Sequence, residues 1–331
     1  MESTSYLVST LYKSFYRYKI APQLMKITLF GCTDITKTIA EFLDNNGYEI
    51  SAIVTSPEIF SISYSKEGVK NFRHVDLKPW ADRKNIPILS YVKPIQLISE
   101  IKKLKISSDF AIVAGWYYKL PKNIRNLFPK GCAGFHASLL PKLRGGAPLN
   151  WSILLGYKET GVSFYELSNG VDDGMLYDQK KFAIKEDDYI EDLIFKSHQA
   201  IINILKTTLP LIENGTISPS VQKGEPSFGK QRCPKDSQIN WDKPKEDILR
   251  LIRASSKPYS GSYSFLNEEK VKIWKATDSE INLFCNPGQI YFDEKNIYVG
   301  CGNSGSIKIV EVDKREILKK SNYERFKRKV E

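Results

Sequence analysis

Residues 134–156, GFHASLLPKLRGGAPLNWSILLG, join a short apolar strand to a loop rich in glycine and proline. The strand is Cys132–Phe135, and His136 follows it directly. A side chain in that position lies at the carboxyl end of a sheet strand, where open α/β sheets bind their ligands. The loop that follows carries two cations, Lys142 and Arg144. The sequence therefore predicts a ligand site immediately after this strand.

Upstream of this loop, strand-like and helix-like segments alternate from Met25 onward. The strand-like segments are short apolar or β-branched runs at Met25–Leu29, Glu49–Thr55, Ile86–Leu89 and Asp109–Ala114. Helical spacing of apolar residues falls between them, at Thr36–Leu43 and around Ile95–Leu104. This alternation predicts an α/β fold with a Rossmann-like, mostly parallel sheet that is covered on both faces. Neither G-x-G-x-x-G nor a Walker A sequence follows the first strand, so the usual nucleotide fingerprints are absent.

Downstream of the loop, a further strand and turn supply a carboxylate. Gly161–Leu167 reads as a strand, and Asp172 lies in the turn after it. A carboxylate in that place orients an imidazole and favours its protonated form, so Asp172 is a candidate partner for His136. Asp173 takes this role if the register slips by one residue. A long helix is predicted over Ile190–Ile212.

The pattern changes after Pro219. Residues 219–245 are polar and rich in Pro, Gly and Lys, which predicts a linker wrapped over the first domain. A helix at Asp247–Ala254 and several short strands follow, which predicts a small β-rich, barrel-like domain. The strand segments are Ser262–Phe265, Val271–Trp274, Gly288–Phe292, Asn296–Val299 and Ser306–Val312. The tail, 313–331, has eight Lys or Arg residues and four acids, which predicts a solvated terminal helix, with a nucleic-acid arm as the alternative.

These boundaries divide the chain into four parts. Residues 1–24 are an N-terminal extension, 25–216 a catalytic α/β domain, 217–245 the linker, and 246–331 the barrel-like domain with its basic tail. The extension is poor in acids and rich in hydroxyl groups, as in organelle transit peptides. The alternatives are a short amphipathic segment or an upstream start before a true beginning at Met25.

Composition narrows the class of protein. The chain has 331 residues, 41% of them hydrophobic, and a formal net charge of +11, which predicts a globular protein of two domains with anionic partners. No stretch approaches the roughly 20 apolar residues that a bilayer span requires. The five cysteines are odd in number and contain no C-x-x-C pair, which predicts reduced thiols and no metal site. We expect a cytoplasmic protein, or an organellar one if residues 1–24 are a transit peptide.

An ordered set of motifs covers the chain from about Met25 to Val312. The set comprises His136-x-Ser138-Leu139-Leu140-Pro141-x-x-Arg144-Gly145, Ala147-Pro148, Trp151, Thr160-Gly161-Val162 and Gly170-x-Asp172-x-Gly174, then Trp241, Ile252-Arg253-Ala254, Lys257-Pro258-Tyr259-Ser260-Gly261 and Pro287-Gly288-x-Ile290. The set resembles the folate-dependent formyltransferases, which move a formyl group from 10-formyltetrahydrofolate to an amine. The resemblance implies the formyltransferase fold with its carboxyl-terminal module, 10-formyltetrahydrofolate as co-substrate, and no metal.

The resemblance also implies a catalytic trio of an Asn, a His two residues later, and an Asp on a following loop. His136 and Asp172 match the last two and are the expected catalytic residues. The Asn position is Gly134, where this chain departs from the family pattern. Loss of an oxyanion donor typically costs about 2.7–4 kcal/mol of transition-state stabilisation. A backbone N–H, an ordered water or Asn150 is the expected replacement.

Binding residues follow from the same resemblance. Gly115, Trp116 and Tyr117, together with Asp172, are expected to bind the folate and to wall its pteridine ring. The residues expected to bind the acceptor are Ser138, Leu139, Pro141, Arg144 and Gly145. Arg144 is the candidate for the acceptor's phosphates because a guanidinium suits bidentate phosphate contacts.

Two classes of acceptor fit the resemblance: a nucleotide-linked amino sugar, and methionine esterified to initiator tRNA. The basic composition and the barrel favour tRNA. Residues 56–78, SPEIFSISYSKEGVKNFRHVDLK, lack the Gly-, Arg- and Lys-rich insertion of the tRNA enzymes and favour the sugar. Gly47–Ile53 and Ala147–Trp151 look like the domain that formylates UDP-4-amino-4-deoxy-L-arabinose for lipopolysaccharide biosynthesis. We therefore expect a sugar N-formyltransferase; the alternatives are a methionyl-tRNA formyltransferase and, because of Gly134, a non-catalytic relative that binds folate or a nucleotide-sugar.

Overall fold

The structure is a computed structural model that describes residues 24–62, 65–279, 286–293, 295–321 and 323–328. The predicted N-terminal extension lies outside these ranges except for Leu24.

The N-terminal unit contains ten strands and six helices among its described residues. The strands are β1 (Lys26–Phe30), β2 (Glu49–Thr55), β3 (Ile59–Ile62), β4 (Ser65–Lys70), β5 (Ile88–Ser90), β6 (Phe110–Val113), β7 (Cys132–His136), β8 (Arg144–Gly145), β9 (Glu159–Glu166) and β10 (Leu176–Ala183). The helices are α1 (Asp34–Asn45), α2 (Lys78–Arg83), α3 (Pro94–Lys103), α4 (Lys122–Arg125), α5 (Pro148–Leu154) and α6 (Ile190–Glu213).

Seven of these strands form one sheet in the order β10-β9-β7-β6-β1-β2-β5. The five strands from β7 to β5 are parallel, whereas β9 pairs antiparallel with β7 and β10 antiparallel with β9. Along β6, Phe110 and Ile112 pack into one apolar cluster and Ala111 and Val113 into another, so both faces of the sheet are covered. A strand buried on both faces is apolar at every position. The predicted α/β fold with a mostly parallel sheet is confirmed.

Two features of this unit were not predicted from the sequence. β10 reads LYDQKKFA, and only its first residue, Leu176, is buried, because the strand lies at an edge of the sheet and pairs on one side with β9. β3 and β4 form a hairpin in which Ile59 pairs with Lys70 and Phe60 with Val69. β10 and β4, which reads SKEGVK, are too polar to show the continuous apolar run of a buried strand.

The linker follows the N-terminal unit closely. Ser220 pairs with Leu176 on the edge strand, and β11 (Phe228–Gly229) pairs in parallel with β8. A 3₁₀ turn at Pro234–Ser237 then leads to the C-terminal unit. The pairing of β11 with β8 holds the linker against the loop that follows His136.

The C-terminal unit is an antiparallel sheet with one helix packed against it. Its elements are α7 (Lys245–Ser255), β12 (Ser262–Leu266), β13 (Glu269–Asp278), β14 (Ile290–Phe292), β15 (Ile297–Gly300), β16 (Ser306–Val312) and α8 (Arg315–Lys320). The strand order is β12-β13-β16-β15-β14. This half-barrel agrees with the predicted β-rich, barrel-like domain.

The basic tail is not the solvated helix that the charge pattern predicted. Among the described residues of the tail only α8 is helical, and its Leu318 is fully buried. Beyond it, Lys327 pairs with Phe265 on β12 and Tyr323 N–H donates to Ile290 O on β14, so the tail bridges both edge strands. Phe326 is buried and stacks on Trp241, with ring centroids 5.3 Å apart. The buried Leu318 and Phe326 let the tail cover the open side of the half-barrel. In the sequence, the many lysines between these apolar residues hide their spacing.

Candidate active site

The carboxyl ends of the central strands open onto a cavity of about 480 Å³. Its wall includes residues from the loops after β6 and β7 and from the turn between β9 and β10. His136 is the last residue of β7 and is buried, with 8% of its surface exposed. The side chain predicted from the sequence as the site's centre therefore lies in a cavity at the expected edge of the sheet.

Both ring nitrogens of His136 face acceptors. Nε2 lies 2.7 Å from the carbonyl oxygen of Leu143, and a carbonyl only accepts, so Nε2 carries a proton. Nδ1 lies 3.4 Å from Oδ2 of Asp172. At this distance the two atoms are in ion-pair contact but are not joined by a hydrogen bond. Because Leu143 holds Nε2, Nδ1 is the ring atom that can serve a ligand in the cavity.

Asp172 is held by contacts to both of its carboxylate oxygens. Gly145 N–H donates to Oδ2 at 2.8 Å, and the Tyr165 hydroxyl donates to Oδ1 at 2.5 Å. The backbone of Asp172 has a φ of 51°, a left-handed conformation that costs a non-glycine residue about 1 kcal/mol or more. Gln222 secures this turn by donating to Asp172 O. The alternative carboxylate, Asp173, is exposed and bonds Ser168, so the structure places Asp172 beside the imidazole.

Gly134 and Tyr165 are direct partners across the antiparallel β7–β9 pair. A Cβ atom added at Gly134 would lie 2.9 Å from Leu167 Cδ2 and 3.4 Å from Tyr165 Cε1. The space that a side chain at position 134 would enter is therefore filled by these two residues. Burial and the adjacent Asp172 carboxylate raise the pKa of Tyr165 well above 10, so its hydroxyl remains a donor at neutral pH.

Asn150 was one expected replacement for the missing carboxamide, and this expectation is wrong. Its Nδ2 donates to Ala254 O at 2.7 Å, on the C-terminal unit. Among the described residues Asn150 lines a different cavity from the one that contains His136. The helix α5 directs it toward α7 because the two helices pack against each other.

The three residues expected at the folate site, Gly115, Trp116 and Tyr117, all line the His136 cavity. Gly115 has a φ of 66°, and a Cβ there would lie 1.8 Å from Thr33 Oγ1, so only glycine fits. Trp116 packs edge-on against Phe30, and its Nε1–H is buried with no acceptor in the described part of the chain. An orphaned buried donor beside a cavity is a place where a ligand acceptor fits.

The residues expected to bind the acceptor are divided by the structure. Gly145 lines the His136 cavity, but Ser138, Leu139, Pro141 and Arg144 line neither of the two cavities among the described residues. Ser138 donates to Lys142 O, and Arg144 donates to Gln222 Oε1 at 2.6 Å. Leu139 packs over Gly161, and Pro141 is buried. These contacts shape the loop around Asp172.

A charged cluster at the rim was missed by the sequence analysis. Arg73 lines the cavity and pairs with Asp34 at 2.6 Å, and its Nη2 lies 3.1 Å from His198 Nε2. Burial, together with the neighbouring Arg73 and against the opposing effect of Asp34, lowers the pKa of His198 to about 4. The three residues come from three separate parts of the chain, so no local sequence motif indicates the cluster.

A second cavity of about 610 Å³ adjoins the first and shares Tyr117, Ala147 and Gln231 with it. It lies where the β3–β4 hairpin, the linker and the C-terminal unit meet. Its described lining residues include three cations, Lys70, Arg232 and Lys235, and no acid. The combined geometry is a buried imidazole–carboxylate pair next to a basic cavity.

Comparison with known proteins agrees with this geometry. A formyl transferase family model matches residues 82–209, and the model of the formyl transferase C-terminal domain matches 233–327. The chain is 31% identical to a methionyl-tRNA formyltransferase of Bacillus velezensis over 292 residues, which cover 87% of this chain and 90% of the relative. The chain belongs to the formyltransferase family. It is an enzyme family whose members transfer formyl groups.

Other members of the formyltransferase family differ in what their names say they do. The chain is 30% identical over 316 residues to the bifunctional polymyxin resistance protein ArnA of Wigglesworthia glossinidia brevipalpis, covering 92% of this chain and 45% of that protein. An N-formyltransferase from Helicobacter canadensis has the same fold, with a TM-score of 0.62 at 20% identity, over 88% of this chain and all of the other. The family assignment therefore leaves the acceptor to be argued from the site.

Among the described residues of this formyltransferase, no group of three or more His, Cys, Asp and Glu side chains is arranged to hold a metal ion. In the same ranges no helix has the length and apolar character needed to cross a membrane.

Proposed function

We propose that this formyltransferase transfers the formyl group of 10-formyltetrahydrofolate to the amine of a nucleotide-linked amino sugar. The observation that carries the proposal is the basic cavity next to the His136–Asp172 pair, lined by three cations and no acid among the described residues. A cavity of about 610 Å³ is within the range of roughly 300–1,000 Å³ that small-molecule sites occupy.

The His136 cavity supports folate as the formyl donor. Its wall combines the aromatic ring of Trp116 with the close backbone approach that Gly115 permits. The structure of the Helicobacter canadensis relative contains folinic acid and dTDP-3-aminofucose. We assign the pteridine to the wall formed by Gly115, Trp116 and Tyr117, with Asp172 beside the reacting group.

The paired side chains suit acyl transfer to an amine. The amine nitrogen attacks the formyl carbon, and negative charge develops on the formyl oxygen. Nδ1 of His136 is placed to donate to that oxygen, since Nε2 is held by Leu143 O at 2.7 Å. Asp172 balances the imidazolium charge and keeps the ring oriented. A new C–N bond forms, the bond to N10 of tetrahydrofolate breaks, and the proton lost by the amine ends on N10.

The basic cavity supports a nucleoside diphosphate on the acceptor. Aromatic rings of Phe60, Tyr117 and Tyr259 line it and offer flat surfaces to a base. Lys235 lines the same cavity and attracts phosphate oxygens, whereas Lys70, which also lines it, pairs with Glu58 at 3.0 Å. Arg232 organises the linker there by donating to Ser255 Oγ at 3.1 Å. Tyr117 lines both cavities, which supports an acceptor bound next to the formyl donor.

The segment after β2 favours a small acceptor over RNA. Of its four cations, Lys70 pairs with Glu58, Arg73 with Asp34 and Lys78 with Asp82. Cations neutralised within the protein release few counterions on binding nucleic acid, which is the main source of RNA affinity.

Methionyl-tRNA formyltransferase is the second candidate. The observation in its favour is the 31% identity to the Bacillus velezensis enzyme over 90% of that relative. The net charge of +11 also suits an RNA partner.

A coupled turnover assay tests the proposal. The protein and 10-formyltetrahydrofolate are incubated with UDP- and dTDP-linked amino sugars and, in parallel, with charged initiator tRNA, and absorbance reports tetrahydrofolate release. We expect turnover with one sugar nucleotide. Turnover with tRNA alone would contradict the proposal and favour the second candidate.

A charge variant sharpens the assay. Lys235→Gln removes a cation from the basic cavity, and we expect KM for the sugar nucleotide to rise about tenfold, which corresponds to roughly 1.4 kcal/mol. Lys243→Gln is the matched control, since Lys243 is exposed on the same linker and lines neither cavity. Equal effects of the two variants would show that the cavity does not bind the acceptor's phosphates.

A further inference from the structure

We propose that Tyr165 is a positioning residue whose hydroxyl fixes the Asp172 carboxylate against His136, and that Gly134 is required opposite it to leave room for the ring. This inference rests on the proposed formyl transfer, but it applies to either acceptor. Tyr165 belongs to none of the sequence motifs. It lies near the end of β9, shortly before the turn that contains Asp172.

The register of the sheet brings Tyr165 to the site. β9 runs antiparallel to β7, and Tyr165 lies directly opposite Gly134, two residues before His136. Directly paired residues project to the same face of a sheet. The Tyr165 ring therefore lies over Gly134, with Cε1 and Cζ at 3.4 and 3.6 Å from the point where a Cβ would be.

The hydroxyl is the polar end of this buried ring. Tyr165 is only 6% exposed, and its hydroxyl donates to Asp172 Oδ1 at 2.5 Å. Hydrogen bonds to a carboxylate are shorter and stronger than neutral ones. The high pKa of this phenol means that the bond has a proton to give throughout the neutral range.

The two carboxylate oxygens of Asp172 therefore have different partners. Oδ1 is occupied by Tyr165, whereas Oδ2 accepts from Gly145 N–H and faces His136 Nδ1 at 3.4 Å. Without the hydroxyl, Oδ1 loses its side-chain donor and the carboxylate is free to rotate about its Cβ–Cγ bond. The imidazolium then loses a fixed counter-charge on the side that faces the cavity.

Packing alone does not account for a tyrosine here. A phenylalanine would fill the same volume against Gly134 and Leu167, but it would leave a buried carboxylate oxygen with one donor fewer. Tyr177, on the neighbouring strand β10, provides the comparison. Its ring packs on Phe164 at 5.3 Å, and among the described residues it lines neither cavity.

The test compares Tyr165→Phe with Tyr177→Phe in the turnover assay, using whichever acceptor the wild-type protein formylates. We expect Tyr165→Phe to lower kcat about 10- to 100-fold, as loss of one charge-assisted hydrogen bond allows, with KM for folate and acceptor within about twofold of wild type. Tyr177→Phe keeps wild-type kcat. A purely structural role would lower the melting temperature and leave kcat per folded molecule unchanged.

A double-mutant cycle with Asp172→Asn separates positioning from general disruption. If Tyr165 acts through Asp172, Tyr165→Phe has little further effect on kcat in the Asp172→Asn background. Wild-type kcat in Tyr165→Phe, or full additivity of the two changes, would overturn the inference. So would a wild-type protein that turns over no acceptor at all. Turnover with tRNA but no sugar would refute only the proposed sugar acceptor and leave this test intact.

Discussion

Gly134→Asn is the change that most directly tests how the site is built. It places at position 134 the carboxamide that the family resemblance implies and that this chain lacks. In the structure a Cβ at that position already lies 2.9 Å from Leu167 Cδ2 and 3.4 Å from Tyr165 Cε1. The carboxamide extends three heavy atoms further into the same space. Leu167 can turn its methyl group aside, but the Tyr165 ring must also move.

The expected cost follows from overpacking. Extra atoms forced into a packed site typically cost about 1–3 kcal/mol. At about 2–4 °C per kcal/mol for a domain of this size, the melting temperature should fall by roughly 2–12 °C. Moving the ring also pulls the Tyr165 hydroxyl away from Asp172 Oδ1, now at 2.5 Å, so turnover should fall as well.

The measurement is a melting curve and a turnover assay on three variants: Gly134→Asn, Tyr165→Ala, and the two combined. In the combined variant the ring is gone, so we expect the melting temperature to rise above that of Gly134→Asn alone, and part of the turnover to return. If Gly134→Asn alone keeps the wild-type melting temperature and raises turnover, the reasoning is refuted. The wild-type site would then simply lack the carboxamide at position 134, with no other residue in its place.

Three other predictions concern separate parts of the molecule. His136→Ala or Asp172→Ala should remove nearly all turnover and leave a small residual rate, while folate binding, followed by quenching of tryptophan fluorescence, persists; near-normal rates in both would contradict the mechanism. The pKa of His198 is lowered from 6.5 to about 4, so the unfolded chain binds a proton that the folded one does not between those values, and stability should fall as pH falls through that window. In thermal melts the melting temperature of His198→Gln should fall less with decreasing pH than that of the wild type. An unchanged dependence of melting temperature on pH would contradict this role of His198. Phe326→Ala should destabilise the C-terminal unit by about 3–5 kcal/mol, whereas Tyr323→Ala, at an exposed site of the same tail, should have little effect; equal shifts in urea unfolding would show that the buried Phe326 does not hold the tail on the half-barrel.

The fold could be predicted because the central strands of its sheet are largely apolar. β2 and β6 show continuous hydrophobic runs, since both of their faces are buried. β10 and the tail could not be predicted in the same way. β10 lies at the sheet edge with one buried residue, and the tail's pairing with β12 and β14 depends on contacts far apart in the chain. The count of charged residues predicted a solvated tail because such a count does not consider the apolar residues between the lysines.

The site was partly accessible from the sequence for a similar reason. His136 and Asp172 follow strands directly, so topology alone brings them to one edge, and the structure has Nδ1 and Oδ2 3.4 Å apart. Arg144 was expected to reach substrate from its type and its place in a loop, yet it donates to Gln222 on the linker. Side-chain direction in a loop depends on what packs beside it, and here the linker is 78 residues away in sequence. Composition could not supply that information.

Gly134 shows why a departure from a family pattern has to be interpreted together with its neighbour in space. Taken by itself, a glycine in place of a donor argues for a weakened site. Paired across the strands with Tyr165, it becomes the condition for a buried ring whose hydroxyl reaches Asp172. Neither residue explains the other in sequence, because 31 positions separate them and only the antiparallel register of β7 and β9 makes them partners. The glycine and the tyrosine therefore form one structural unit, and a variant of either is interpretable only in the background of the other.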